Sequence, residues 1–393
     1  MSDSNQAQPS RRAVLGAAAV AAVPLLAATP ASAATSHREE DLLYIGTWGV
    51  GQVYALRFDP VRGTMTPLGP VAPVSSNWVA AHPTRPVLYV AGREQGGIIR
   101  YFHIDDTTGG LRQLGEIQTE PVPTGSGGLS YIGVDDRSDT LLVADFAAGS
   151  ASAVSIGRDG RLGAVASQVQ DTGSGPNPRQ LGPHPHHVVV DPGERYALVA
   201  DFGADRVFVY AYDRATRTLS AGTPDGTPRA YATAPGSGPR RLAFHPGGRT
   251  VYLLNELTAD IQTLDWNATH GLLTLRQSLS TNAPGHTGTT SAAELAISGD
   301  GRHVYTSNRG ENTLVAYSTD RRTGTLTEIQ RIPCAGQTPW SFSLHRGGRW
   351  LFVANEVSST VNLFGVDPRS GALTDTGTSV PVPNPDSFTF RYH

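Results

Sequence analysis

One arrangement of apolar and polar positions keeps returning along the chain. A short, nearly unbroken apolar stretch follows a turn and stops at small or polar residues. A second stretch, alternating apolar and polar, comes next, and Asp and Gly then mark a tight turn. The apolar stretches are LLYIGTW from Leu42, VLYVAGR from Val87, LLVADF from Leu141, ALVADF from Ala197, VYLLNEL from Val251, VYTSNRG from Val304 and LFVANEV from Leu351. Their aromatic or leucine anchors, Tyr44, Tyr89, Leu142, Leu198, Tyr252, Tyr305 and Phe352, are 45 to 56 residues apart. Hairpin signals close each unit, among them DPVRGTMT at Asp59, DDTTGGLR at Asp105 and DRATRTLS at Asp213. A further strand precedes each later anchor, often ending in HP, DP or HxGG, as in VVVDP to Pro192 and LAFHP to Pro246. Four strands, a to d, in about 50 residues make one propeller blade. The pattern therefore predicts an all-β, seven-bladed β-propeller without helical periodicity, and the even repeat argues against a β-sandwich. The first unit begins at its second strand, with Leu42, and the tail DSFTFRYH from Asp386 is an alternating strand with nothing after it. The C-terminal strand is expected to supply the missing innermost strand of the first blade and close the ring.

The N-terminus departs from this pattern. Ser10-Arg11-Arg12 precedes an apolar run from Ala13 to Ala28, and Ala31-Ser32-Ala33 offers a small-x-small cleavage site. This predicts an export signal over residues 1–33, a linker over 34–40 and a single propeller domain over 41–393. The paired arginines resemble a twin-arginine signal. The usual Phe and Lys after them are absent, which keeps an ordinary secretory signal as the alternative. The apolar run is too short and alanine-rich for a lasting membrane span, so a secreted, extracytoplasmic protein is expected.

Composition narrows the chemistry. The formal net charge of −3 gives no reason to expect a nucleic-acid partner. All 31 basic residues are arginine, which excludes Schiff-base and P-loop lysines. Cys334 is the only cysteine, so an internal disulfide and a site of several thiolates are both excluded, and it is read as a packed residue.

Propeller geometry says where functional residues gather. The start of strand a and the end of antiparallel strand b lie at one end of the central channel. The a-strand starts include Ser75 to Asn77, Ser130-Tyr131, His186-His187, Arg240-Arg241, Ala293-Glu294 and Trp340. The b-strand ends include Thr47-Trp48, Gly92-Arg93, Asp145, Asp201, Asn255-Glu256, Asn308-Arg309 and Asn355-Glu356. Plainer roles stand beside functional ones. Arg240 or Arg241 can pair with Glu256 or Glu294 across adjacent blades. One of His186 and His187 should point into packing, and Asp145 and Asp201 suit turn caps. His184 to His187 shows no third metal ligand, so neither a metal nor another cofactor is expected.

GPNPRQLGPHPHHVVVDP, GPRRLAFHP, YLLNEL, SAAEL and YTSNRG resemble the lactonase-type seven-bladed propellers, which include propeller-class 6-phosphogluconolactonases and carboxy-muconate cyclases. The resemblance implies functional residues at His186, Arg240, Glu256 and Arg309. It also marks departures, since Tyr131 stands where the family usually has His, Trp340 where it has Arg or a similar polar residue, and Gly92-Arg93 where it has Asn-Glu. A phosphorylated sugar lactone does not suit an exported protein. The expectation is hydrolysis of a small, anionic, non-phosphorylated lactone. His186 would serve as base, Arg240 and Arg309 would hold a carboxylate or oxyanion, and Glu256 would orient the imidazole or act as acid or base. Tyr131, Asp201, Glu294 and Trp340 are expected to contact substrate. The alternatives are a muconate-cyclase-like, lactone-forming isomerase and a non-enzymatic ligand-binding propeller.

Overall fold

The computed structural model describes residues 40–94, 96–120 and 128–392. The expected export signal and nearly all of the linker lie outside these residues. Among the described residues there is no α-helix, and the strands form seven antiparallel sheets arranged as blades. The unbroken apolar stretch of each sequence repeat is buried on both faces because its blade is packed between two neighbouring blades. Asp41–Thr47 is buried throughout, whereas the outermost strand of the same blade, Thr64–Ala72, alternates toward solvent. This explains the unbroken apolar run of the one and the polar pattern of the other.

The ring closes as the tail pattern implies. Pro385–Arg391 pairs with Asp41–Thr47 and forms the innermost strand of blade one. Phe388 and Phe390 join a cluster built from blades one and seven, with Leu43, Phe58, Phe352 and Leu363. Blade four departs from the four-strand unit. Its outer strand is split into Thr218–Ser220 and Arg229–Ala232, both paired with Arg206–Asp213. Between the two halves runs AGTPDGTP, whose prolines and glycines cannot sustain a ladder.

Two local devices recur. In the c–d hairpins, Asp59, Asp105, Asp320 and Asp367 each accept two backbone N–H groups of their own turn, and a glycine at positive φ ends it. Blade four places Arg217 at that position, at φ 58°, where its Nε reaches Ser138 O at 3.1 Å. The second device is a β-bulge at the start of the innermost strand. Pairing skips Ser130, His186, Arg240, Trp340 and Asp386, and in blade six it skips Ala293 and Glu294. A bulge leaves its extra residue out of the ladder and re-aims the side chain.

Candidate active site at the channel mouth

Four of these bulge residues, Ser130, His186, Arg240 and Trp340, line one cavity of about 260 Å³. The ends of the b strands add Trp48, Glu256 and Arg309 to it. The structure thus brings His186, Arg240, Glu256 and Arg309 to a single cavity, from blades four, five and six. Trp340 joins them, with its ring 4.5 Å from the Arg309 guanidinium and 5.3 Å from Trp48.

Glu256 is the electrostatic hub. Arg240 Nε donates to its Oε2 at 2.9 Å and Arg179 Nη1 to its Oε1 at 2.7 Å, while Arg309 Nη2 makes an ion pair with Oε1 at 3.0 Å. Burial alone would push this carboxyl up, but the guanidiniums of Arg309, Arg240 and Arg179 outweigh it and hold it at about 2. Three simultaneous ion pairs favour a fixed anion at Glu256 over the expected acid or base. A carboxylate held by three cations retains too little basicity to move a proton near neutral pH. Nor does it hydrogen-bond the His186 imidazole, whose Nδ1 is buried without a partner. Burial first, then the charges of Arg240 and Arg241, hold the His186 pKa well below 6.5. Both causes favour the neutral form of the imidazole. Phe146 meets its ring edge-on, with centroids 6.0 Å apart.

Three residues expected to contact substrate are not among the lining residues. Asp201 is fully buried, and its Oδ1 takes the backbone N–H groups of His184, Gly203 and Ala204, which is the turn-cap role. Tyr131 packs against His187 with ring centroids 4.1 Å apart and tilted at 55°, and its ring lies 5.2 Å from that of Trp78. Glu294 forms an ion pair with Arg241 at 3.0 Å and accepts the N–H of Leu295. The expected pairing across adjacent blades is made by Arg241 with Glu294 of blade six, whereas Arg240 pairs with Glu256 inside blade five. The histidine run spreads out. His184 Nδ1 meets Phe146 O at 2.7 Å, His186 lines the cavity and His187 packs on Tyr131. Cys334 is buried away from the cavity, its thiol pushed up to about 11 by burial.

The cavity also holds residues that sequence reasoning did not single out as a site. Arg179, Phe146 and Trp78 line it. Arg179 reaches in from a loop, braced 4.6 Å over the Phe202 ring. Its only signal was membership of GPNPRQLGP, a stretch outside the repeat.

The channel mouth of this propeller thus gathers an imidazole, several guanidiniums and aromatic walls around a cavity of small-molecule size. The chain is a member of the family described as lactonase, 7-bladed beta-propeller, whose family model matches residues 42–390. It is 28% identical to the 6-phosphogluconolactonase of Bacillus subtilis over 356 residues, covering 89% of this chain and 98% of that protein. A 6-phosphogluconolactonase of Serratia proteamaculans is 30% identical over 303 residues, covering 77% of this chain and 84% of its own. Among solved structures, a periplasmic gluconolactonase of Pseudomonas aeruginosa superposes with a TM-score of 0.81 at 30% identity, covering 89% of this chain and 99% of that one.

Proposed function

We propose that this protein is an exported lactone hydrolase acting on a small, anionic, non-phosphorylated lactone. The observation that carries the reading is the neutral His186 imidazole in a small cavity shared with Arg240, Arg241 and Arg309. His186 takes a proton from water, and the resulting hydroxide adds to the lactone carbonyl carbon. The oxyanion that forms faces Arg309, whose Nε is buried without a hydrogen-bond partner. The ring C–O bond then breaks, its oxygen leaves as a hydroxyl with the proton carried by His186, and a hydroxy acid is released. Glu256 acts as a fixed anion that keeps three arginines from repelling one another.

Two observations support a non-phosphorylated substrate. Much of the guanidinium charge is already spent on Glu256, and Trp48, Trp78, Trp340 and Phe146 give the cavity aromatic walls. The likeness to a periplasmic gluconolactonase points the same way. Export is supported by Arg11-Arg12, the apolar run after them and Ala31-Ser32-Ala33. The test uses protein recovered from culture medium. Neutral aldonolactones, carboxylated lactones and 6-phosphogluconolactone are assayed for ring opening, and His186→Ala is compared with the wild type. Ring opening of non-phosphorylated lactones is expected, with turnover lowered about 10²–10⁴-fold in the folded variant. Hydrolysis confined to the phosphorylated lactone would overturn the substrate reading, and full activity in His186→Ala would overturn the mechanism.

A further inference from the structure

The arginines at the cavity are not equally available. Arg240 spends Nε on Glu256 and Nη1 on Ala293 O, each at 2.9 Å. Arg179 is committed to Glu256 and is half-exposed. Arg309 gives Nη2 to Glu256 and Ala292 O. Arg241 differs from all three. Its side chain is 3% exposed, its Nη2 meets Glu294 at 3.0 Å, and both Nε and Nη1 are buried with no hydrogen-bond partner. It lines the same cavity as His186. The bulge explains the difference. Arg240 is the residue skipped by the ladder, and Arg241 resumes pairing opposite Leu254, so adjacent arginines are aimed differently.

Arg241 is also held in place. Its guanidinium lies 4.0 Å over the Trp78 ring and 5.2 Å from that of Tyr131. Tyr131 is in turn packed on His187. Buried N–H groups without acceptors are unfavourable unless something supplies the acceptors. A rigid, desolvated cation with two unused nitrogens at a small cavity is preorganised for an anion.

We propose that Arg241 is the receptor for a carboxylate carried on the lactone ring, and that Arg240, its neighbour in sequence, is a clamp on Glu256 without a direct role in binding. The arginines then divide the work. Arg309 faces the developing oxyanion, Arg241 takes the permanent charge of the substrate, and Arg240 and Arg179 hold Glu256. The substrate class becomes a ring lactone with a free carboxylate, and a neutral lactone of the same ring is a poorer substrate. This rests on the hydrolase reading of the cavity, so its test needs a readout that does not depend on ring opening.

The test compares wild type, Arg241→Met and the doubly substituted Arg241→Met/Glu294→Gln, in which no charge is left unpaired. Two assays are used. One is kcat/KM for a carboxylated lactone and for its neutral analogue. The other is calorimetric binding of cyclopentanecarboxylate, which has no ester to open. The wild type is expected to prefer the carboxylated lactone and to bind the carboxylate. Both variants are expected to lose about 10- to 100-fold more in kcat/KM on the carboxylated lactone than on the neutral one, and to lose the calorimetric signal. Equal losses on both lactones in the folded double variant would make Arg241 merely structural and overturn the proposal. Unchanged carboxylate binding in the variants would overturn it too. Carboxylate bound by the wild type and not by the variants, with no lactone opened by any, would support the receptor while removing the hydrolase reading.

Discussion

Burial disfavours the charged form of His186 first, and Arg240, Arg241 and Arg309 add repulsion, so its pKa lies well below 6.5. A general base is competent above its own pKa. The acid limb of kcat/KM is therefore expected well below 6.5, with a flat profile from about pH 6 to 8. A pH–rate profile of the free enzyme on a confirmed lactone checks this, and an acid limb at the ordinary histidine value would contradict it. Stability carries the same sign. Below 6.5 the unfolded chain takes up a proton that folded His186 refuses, so acidification through that range weakens the fold. At this scale the sequence went far and then stopped. Strand ends placed His186, Arg240, Glu256 and Arg309 on one rim. Which arginine is spent and which is free depends on the side-chain directions set by a bulge, and alternation along a strand does not reveal a bulge. Arg179 was invisible for a different reason, since it comes from a loop that the repeat does not contain.

Blades are joined by specific hydrogen bonds as well as by apolar contact. Three of the b-strand anchors are tyrosines whose hydroxyls cross to the hairpin of the next blade. Tyr44 donates to Gly109 O at 3.0 Å, Tyr89 to Gly160 O at 2.7 Å and Tyr252 to Gly324 O at 2.8 Å. The hydroxyl of Tyr305, one blade further on, is buried with no partner. The pair Tyr252→Phe and Tyr305→Phe separates ring burial from the hydrogen bond. Tyr252→Phe leaves Gly324 O without its donor and is expected to cost about 1–2 kcal/mol. Tyr305→Phe removes an unsatisfied hydroxyl and is expected to be neutral or slightly stabilising. Urea unfolding of both variants measures the difference, and equal losses would show that the crossing bond contributes nothing. The anchors themselves were legible in the sequence because burial on both faces forces an apolar run. Their partners were not, because Tyr252 and Gly324 are 72 residues apart and only the closed ring brings them together. The split outer strand of blade four was missed although AGTPDGTP carries the prolines and glycines that cause it.

Closure makes the two ends of the described chain one structural unit. Pro385–Arg391 pairs along Asp41–Thr47, Thr389 Oγ1 accepts the N–H of Ala81 in blade two, and Arg391 grips Asp106 at 3.0 and 3.1 Å. On the other side His345 Nε2 meets Asp41 Oδ2 at 2.9 Å, and Trp350 Nε1 donates to Pro60 O across the same seam. Phe390 packs against Phe352, His345 and Tyr392, with ring centres 5.1 to 5.3 Å apart. Removing the tail therefore strips the inner edge of blade one and opens a cavity between blades one and seven, in a ring where each blade leans on two neighbours. Truncation before Asp386 is expected to abolish the single cooperative unfolding transition and to promote association through the bared edge of Asp41–Thr47. Phe390→Ala keeps the strand and removes only its packing, so it is expected to cost about 3–5 kcal/mol with cooperativity retained. Urea unfolding followed by tryptophan fluorescence, with size-exclusion chromatography, checks both. A truncated chain that stays monomeric and unfolds in one transition at the wild-type midpoint would show that the ring does not depend on its closing strand.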